Sequence, residues 1–136
     1  MTVSEKVRKI LTSDSRMSVY STSSKDGITN IAVIGSTTLL EDGTLMIAIG
    51  NNRTFTNLQE NPCASCLVKI EGTTGLQMEG CRLYLKVKSI LDSGEVFDSF
   101  ISKLRSKIGS AADMLKHVVI FEITEARPIV DMGQGI

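Results

Sequence analysis

Arg53 sits in a turn whose neighbours can all meet an anion: Gly50-Asn51-Asn52 precede it, and Thr54 and Thr56 follow. An apolar run, Leu45-Met46-Ile47-Ala48-Ile49, feeds this turn. The residues beyond read as a short helix from Thr54 to Glu60, which Asn61-Pro62 closes. Backbone N–H groups at a helix start, two hydroxyls and a guanidinium together suit a phosphate. The helix dipole mildly disfavours a cation at that end, and a bound phosphate offsets the placement. The chemistry to expect here is the grip on a phosphorylated ligand.

Other chemistries find less support. His117 is the only histidine, so no catalytic triad can be assembled. Its place at the start of an apolar strand predicts a surface or strand-end role. Neither GxxxxGK(S/T) nor a GxGxxG after a strand occurs, which sets aside the usual nucleoside-triphosphate and dinucleotide cradles. Cys63 and Cys66 form a CxxC within an apolar strand, Cys63 to Ile70, where residues three apart face opposite ways. One further cysteine and one histidine do not complete a metal set, so both cysteines are expected in the core.

The 136 residues predict one domain, 1–136, large enough for a core without staples. Fifteen basic residues balance fifteen acidic ones, so neither nucleic acid nor an anionic membrane is a natural partner. No apolar run approaches the ~20 residues of a membrane span. The charged start, Glu5-Lys6-Val7-Arg8-Lys9, is unlike a secretory signal, and three cysteines is an odd number. A reduced, cytoplasmic setting is the expectation.

The elements that must position the turn follow from periodicity. Val3, Val7, Ile10 and Leu11 recur at helical spacing. A strand around Met17 to Thr22 turns at Lys25-Asp26-Gly27 into a second, Ile28 to Thr38. Glu41-Asp42-Gly43 turns the chain again into a third, Thr44 to Ile49; Asp-Gly between such runs is a strong hairpin signal. After the short helix come the cysteine strand, a Gly72-Thr73-Thr74-Gly75 turn and a long strand from Leu76 to Leu91. The apolar phase of that strand switches at Gly80, as a bulge allows. Asp92 and Glu95 fit a capping pair for a helix with Val96, Phe97, Phe100, Ile101, Leu104 and Ile108 on one face. Val118 to Ile123 is the last strand. Six strands and three helices predict a mainly β domain, a small closed antiparallel barrel with peripheral helices.

Several stretches carry a family resemblance. Val19-Tyr20-Ser21-Thr22 with Lys25-Asp26-Gly27-Ile28-Thr29-Asn30 is similar to the opening hairpin of the FMN-binding split barrel, the pyridoxamine phosphate oxidase-like superfamily. Glu41-Asp42-Gly43-Thr44-Leu45-Met46-Ile47-Ala48 continues the likeness. Arg53-Thr54-Phe55-Thr56-Asn57-Leu58-Gln59-Glu60-Asn61-Pro62 resembles the family's (K/R)T-x-x-NL-x-x-NP signature, its most specific part. Gly75-Leu76-Gln77-Met78-Glu79-Gly80 is similar to its G-x-Q-x-x-G strand, and the match runs from Val3 to Gly133.

The resemblance implies a six-stranded antiparallel split barrel and a homodimer with FMN at its interface. It puts the FMN phosphate on Arg53, flanked by Asn52 and Thr54. It sets the backbone of Val33, Ile34, Gly35 and Ser36 beside the flavin, with Ala48, Ile49 and Gly50 lining the approach and Gln77 against the ring. The flavin would be the redox group, so no catalytic side chain is assigned. The chain's last residues, Asp131-Met132-Gly133-Gln134-Gly135-Ile136, lack the Arg-x-His pair with which a true pyridoxamine phosphate oxidase holds its substrate, so that activity is not expected. A flavin-dependent oxidoreductase or flavin reductase is implied. Two alternatives stay open: a non-catalytic FMN carrier or electron-transfer protein, and a split-barrel relative holding haem or a deazaflavin.

Overall fold

The computed structural model describes residues 2–136. The first helix, α1 (Glu5–Leu11), is capped by Ser4, whose hydroxyl accepts the Val7 N–H, and it seats Val7, Ile10 and Leu11 in the core. Two hairpins follow, β1 (Arg16–Ser23) with β2 (Thr29–Val33) and β3 (Thr38–Leu39) with β4 (Leu45–Ile49). Their Asp-Gly turns stand where expected, with Gly27 and Gly43 at φ of 83° and 87°. The chain continues as α2 (Arg53–Glu60), β5 (Cys63–Ile70), β6 (Gly80–Leu91), α3 (Glu95–Ile108) and β7 (His117–Pro128).

All seven strands form one antiparallel sheet, ordered β2-β1-β5-β6-β7-β4-β3. β2 and β3 are its opposite edges, yet only residues 34–37 join them. Such a link spans at most about 18 Å, so the sheet must curl until its edges nearly meet. The result is a half-barrel that stays split between β2 and the β3–β4 hairpin. The expected second strand, Ile28 to Thr38, is therefore two strands, and the sheet has seven rather than six. Closure causes the break. Ile34 N–H still donates to the Ser18 carbonyl, as a β1 partner would. Thr37 then leaves β1's edge, held by Tyr20 OH (2.8 Å) and by Arg16, which donates to the Thr37 carbonyl (2.5 Å).

β4 is buried along its whole length. Leu45, Ile47 and Ile49 enter the main core with Tyr20, Val68, Leu83 and Phe121. Met46 and Ala48 face the other way, into a smaller cluster with Phe100 and Ile101 of α3 and with Val118. Both faces are covered, which explains the uninterrupted apolar run.

Four further expectations are corrected. Leu76 and Gln77 lie in a 3-10 turn, Gly75–Gln77, and β6 begins only at Gly80. The register irregularities of β6 fall later, between Tyr84 and Leu85 and between Val87 and Ser89. α3 starts after Gly94 with no side-chain cap, so the Asp92–Glu95 pair does not form. All three cysteines are free, and Cys66 is buried, but Cys63 is exposed rather than core because it takes the other face of β5. Among the described residues no helix is long and apolar enough to cross a membrane.

Candidate functional site

The split opens as a cavity of about 440 Å³, a size usual for ligand sites. Val33, Ile34, Gly35 and Ser36 form one wall, and Ala48, Ile49, Gly50 and Asn52 form another. The gap has a plain cause. β3 pairs only with Leu45 and Met46, leaving the rest of β4's edge without a strand. Ser36 fills in for one, its hydroxyl accepting the Ala48 N–H (2.9 Å) and donating to the Ala48 carbonyl (3.2 Å). Leu104, Lys107 and Ile108 of α3 line the cavity too, together with Arg16 of β1. The sequence placed neither cation beside the turn, since each comes from an element remote from it.

A cavity of about 500 Å³ lies elsewhere, lined by Lys6 and Lys9 of α1, Leu76, Met78 and the Ile129–Val130 segment. It is larger, but it holds none of the expected anion-binding turn. Gln77 belongs to that side, exposed in its 3-10 turn, and does not line the split cavity of its own chain.

Asn52 links the split cavity to α2. Its Oδ1 accepts the Phe55 N–H (2.9 Å) and its carbonyl accepts the Thr56 N–H (3.1 Å). Arg53 and Thr54 hold the other N–H groups of the first turn, and no acidic residue stands in that turn. The positive end of α2 is thus open to an anion beside the cavity. Arg53 is exposed there, outside the cavity lining proper. Thr54 is buried, and its hydroxyl lies 3.5 Å from Asn30 Nδ2, docking α2 against β2. Asn57 does the same towards β1, donating from Nδ2 to Thr22 Oγ1 (3.1 Å).

His117 stands at a strand end, as expected, being the first residue of β7, but not at the surface. It is buried, its ring flat on Phe55 with centroids 3.5 Å apart and planes 6° off parallel. Nδ1 lies 2.5 Å from Asp92 Oδ1 and Nε2 lies 2.6 Å from Asn51 Oδ1. Asp92, expected as a helix cap, is spent on this contact instead. No sequence signal foretells it, because three distant segments converge on one ring.

No protein-family model matches the chain, and no curated protein matches it. Solved structures do match. An FMN-binding protein from Syntrophomonas wolfei subsp. wolfei is 26% identical, with a TM-score of 0.78 over 96% of this chain and 87% of that one. The haem storage protein HutZ from Vibrio cholerae is 15% identical, with a TM-score of 0.67 over 94% and 95% of the two chains. An F420 reductase is 14% identical, with a TM-score of 0.67 over 91% and 98%. The last two likenesses speak for the fold alone. A sheet curled until its edges nearly meet, the motifs of the α2 turn and these matches agree: the chain has the FMN-binding split-barrel fold of the pyridoxamine phosphate oxidase-like superfamily.

Proposed function

We propose that this chain binds FMN at the split and works in the cytoplasm as a homodimeric flavin-dependent oxidoreductase or flavin reductase. One observation carries the reading: a cavity walled by residues 33–36 and 48–50 runs through Asn52 directly to the open N-terminus of α2. FMN supplies the redox chemistry when bound. The chain supplies the hold. Arg53 and the first-turn N–H groups take the phosphate, while Val33, Ile34 and Leu104 keep water from the ring.

Two details support the fit. A Cβ placed on Gly35 would meet nothing within 4 Å, so open space lies beside that backbone for a flat ring. Arg16 Nε is buried without a partner among the described residues, a donor on the wall that calls for an acceptor. A haem reading is less well served. Among the described residues no histidine, cysteine or methionine lines the cavity, and both ring nitrogens of His117 already face protein partners. The dimer is supported by the outward face of β2, where Ile31 and Val33 are 74% and 69% exposed. Gln77, remote from its own cavity, belongs in this reading to the site of the second copy.

Titration of the apoprotein with FMN and with riboflavin tests the site. Arg53→Ala should weaken FMN about ten- to a hundredfold, the worth of one charge-assisted contact, and leave riboflavin nearly unchanged. Equal losses for both ligands, or none, would sink the phosphate assignment. Oxidation of NADH or NADPH by the FMN-loaded protein with added acceptors then separates the enzyme from a passive carrier.

A further inference from the structure

We propose that His117 is the positioning residue of the phosphate-binding turn, holding it from both sides of Arg53. The inference rests on the FMN site proposed above and assigns it a part that lies outside the cavity.

The register of the sheet sets the stage. His117, the first residue of β7, pairs with Ile49, the last of β4, so it stands where the chain leaves the sheet for the turn. The segment before it already holds that exit. Lys116 N–H donates to the Ile49 carbonyl (2.9 Å), and a Cβ on Gly50 would come within 2.7 Å of the Met114 carbonyl oxygen. The His117 side chain extends the clamp by two contacts. Nε2 meets Asn51, two residues before Arg53, and the ring lies flat on Phe55, two residues after it. Asp92 holds the ring itself. Contacts at both ring nitrogens, Asp92 at Nδ1 and Asn51 at Nε2, fix the ring's orientation.

The ring therefore couples three segments: the end of β6, the turn and the first turn of α2. Phe55 also receives the Asn52 cap on its N–H, so the cap and the ring fix one residue from two directions. What the clamp protects is a direction. A guanidinium on an exposed turn reaches a phosphate productively only if the backbone on both sides of it is fixed. Neither apolar cluster includes His117, so its loss should loosen the turn while leaving the barrel's packing in place.

The experiment compares FMN and riboflavin affinities for the wild-type chain, Arg53→Ala, His117→Ala and Asp92→Ala. Residue 92 is 68% exposed at its side chain, so its variant tests the clamp even if His117→Ala does not fold. His117→Ala is expected to lose FMN affinity about tenfold and riboflavin affinity by less than about twofold. Asp92→Ala should shift the same ratio in the same direction by a smaller factor. A wild-type preference for FMN that Arg53→Ala abolishes, but that both other variants keep, overturns the clamp and spares the phosphate site. Equal losses for the two ligands in the His117 or Asp92 variant reduce the residue to a structural part and also overturn it. No wild-type preference for FMN would fail the site reading first, and the clamp with it.

Discussion

Cys66 and Cys81 are buried in the main core, and burial pushes both thiols up to about 12. A thiol is neutral below its pKa, so at pH 8 the reactive thiolate of each is on the order of one part in ten thousand. Cys63, three residues from Cys66, points out of the sheet and is exposed. Native protein at pH 8 should therefore take up one equivalent of a maleimide quickly and the other two only after unfolding, as intact mass would show. Cys63→Ser should remove the fast event, and a second label entering at a similar rate would contradict the burial of the pair. The opposite faces of this CxxC were legible from the two-residue period of a strand. Which cysteine faced outward was not, because Ala64, Leu67 and Val68 give apolar neighbours to both faces. The place of Arg53 at the start of a capped helix was legible for a local reason: cap, cation and helix are contiguous. The contacts of His117 reach residues 25 and 66 positions away, and no period encodes them.

At the scale of elements, hairpins were read correctly wherever a local turn sets them and misread wherever closure does. Asp26-Gly27 and Asp42-Gly43 carry their own geometry. The break between β2 and β3 does not; it exists because one curled sheet brings its two edges together, and residues 34–37 must cross between them. Leu76 and Met78 alternate like a strand, but two apolar residues are too few to outweigh the glycines on either side. Gly80 was legible as a special position, though its reason is sharper than a bulge. It starts β6 at φ +156°, and a Cβ there would stand 2.1 Å from the Val68 carbonyl oxygen and 3.1 Å from Lys69 Cα. Backbone cannot yield as a side-chain tip can, so Gly80→Ala should destabilise the fold by roughly 2–4 kcal/mol in urea unfolding. Gly35→Ala is the contrast, with nothing within 4 Å of its new methyl, and it should leave the unfolding midpoint nearly unchanged. Equal midpoints for the two variants would mean that the β5–β6 junction relaxes freely.

For the whole molecule, the outward face of β2-β1-β5-β6 is the feature a lone chain leaves unexplained. The register sets Val33, Val19, Leu67 and Arg82 in one row across four strands, and Ile31, Ser21, Ser65 and Tyr84 in the next. Ile31 and Val33 stand 74% and 69% exposed on an edge strand, with Leu67 beside them at 38%. An apolar row ending in an unpaired edge invites a partner, and a second copy supplies the same row. Val33 also lines the split cavity, so whatever covers this face would adjoin the proposed FMN site. Ile31 does not line it, which makes Ile31→Glu the cleaner probe. A two-fold interface meets each substitution twice. Two buried isoleucines lost, at about 1.5–3 kcal/mol each, weaken association by roughly two to four orders of magnitude before the buried charge is counted. Sedimentation at micromolar concentration should find the wild-type chain dimeric and Ile31→Glu monomeric. The variant should keep its folded circular dichroism, since residue 31 touches neither apolar cluster, but it should bind FMN more weakly for want of the second chain. A wild-type monomer that holds FMN fully, or an Ile31→Glu chain that stays dimeric, would remove this face from the interface.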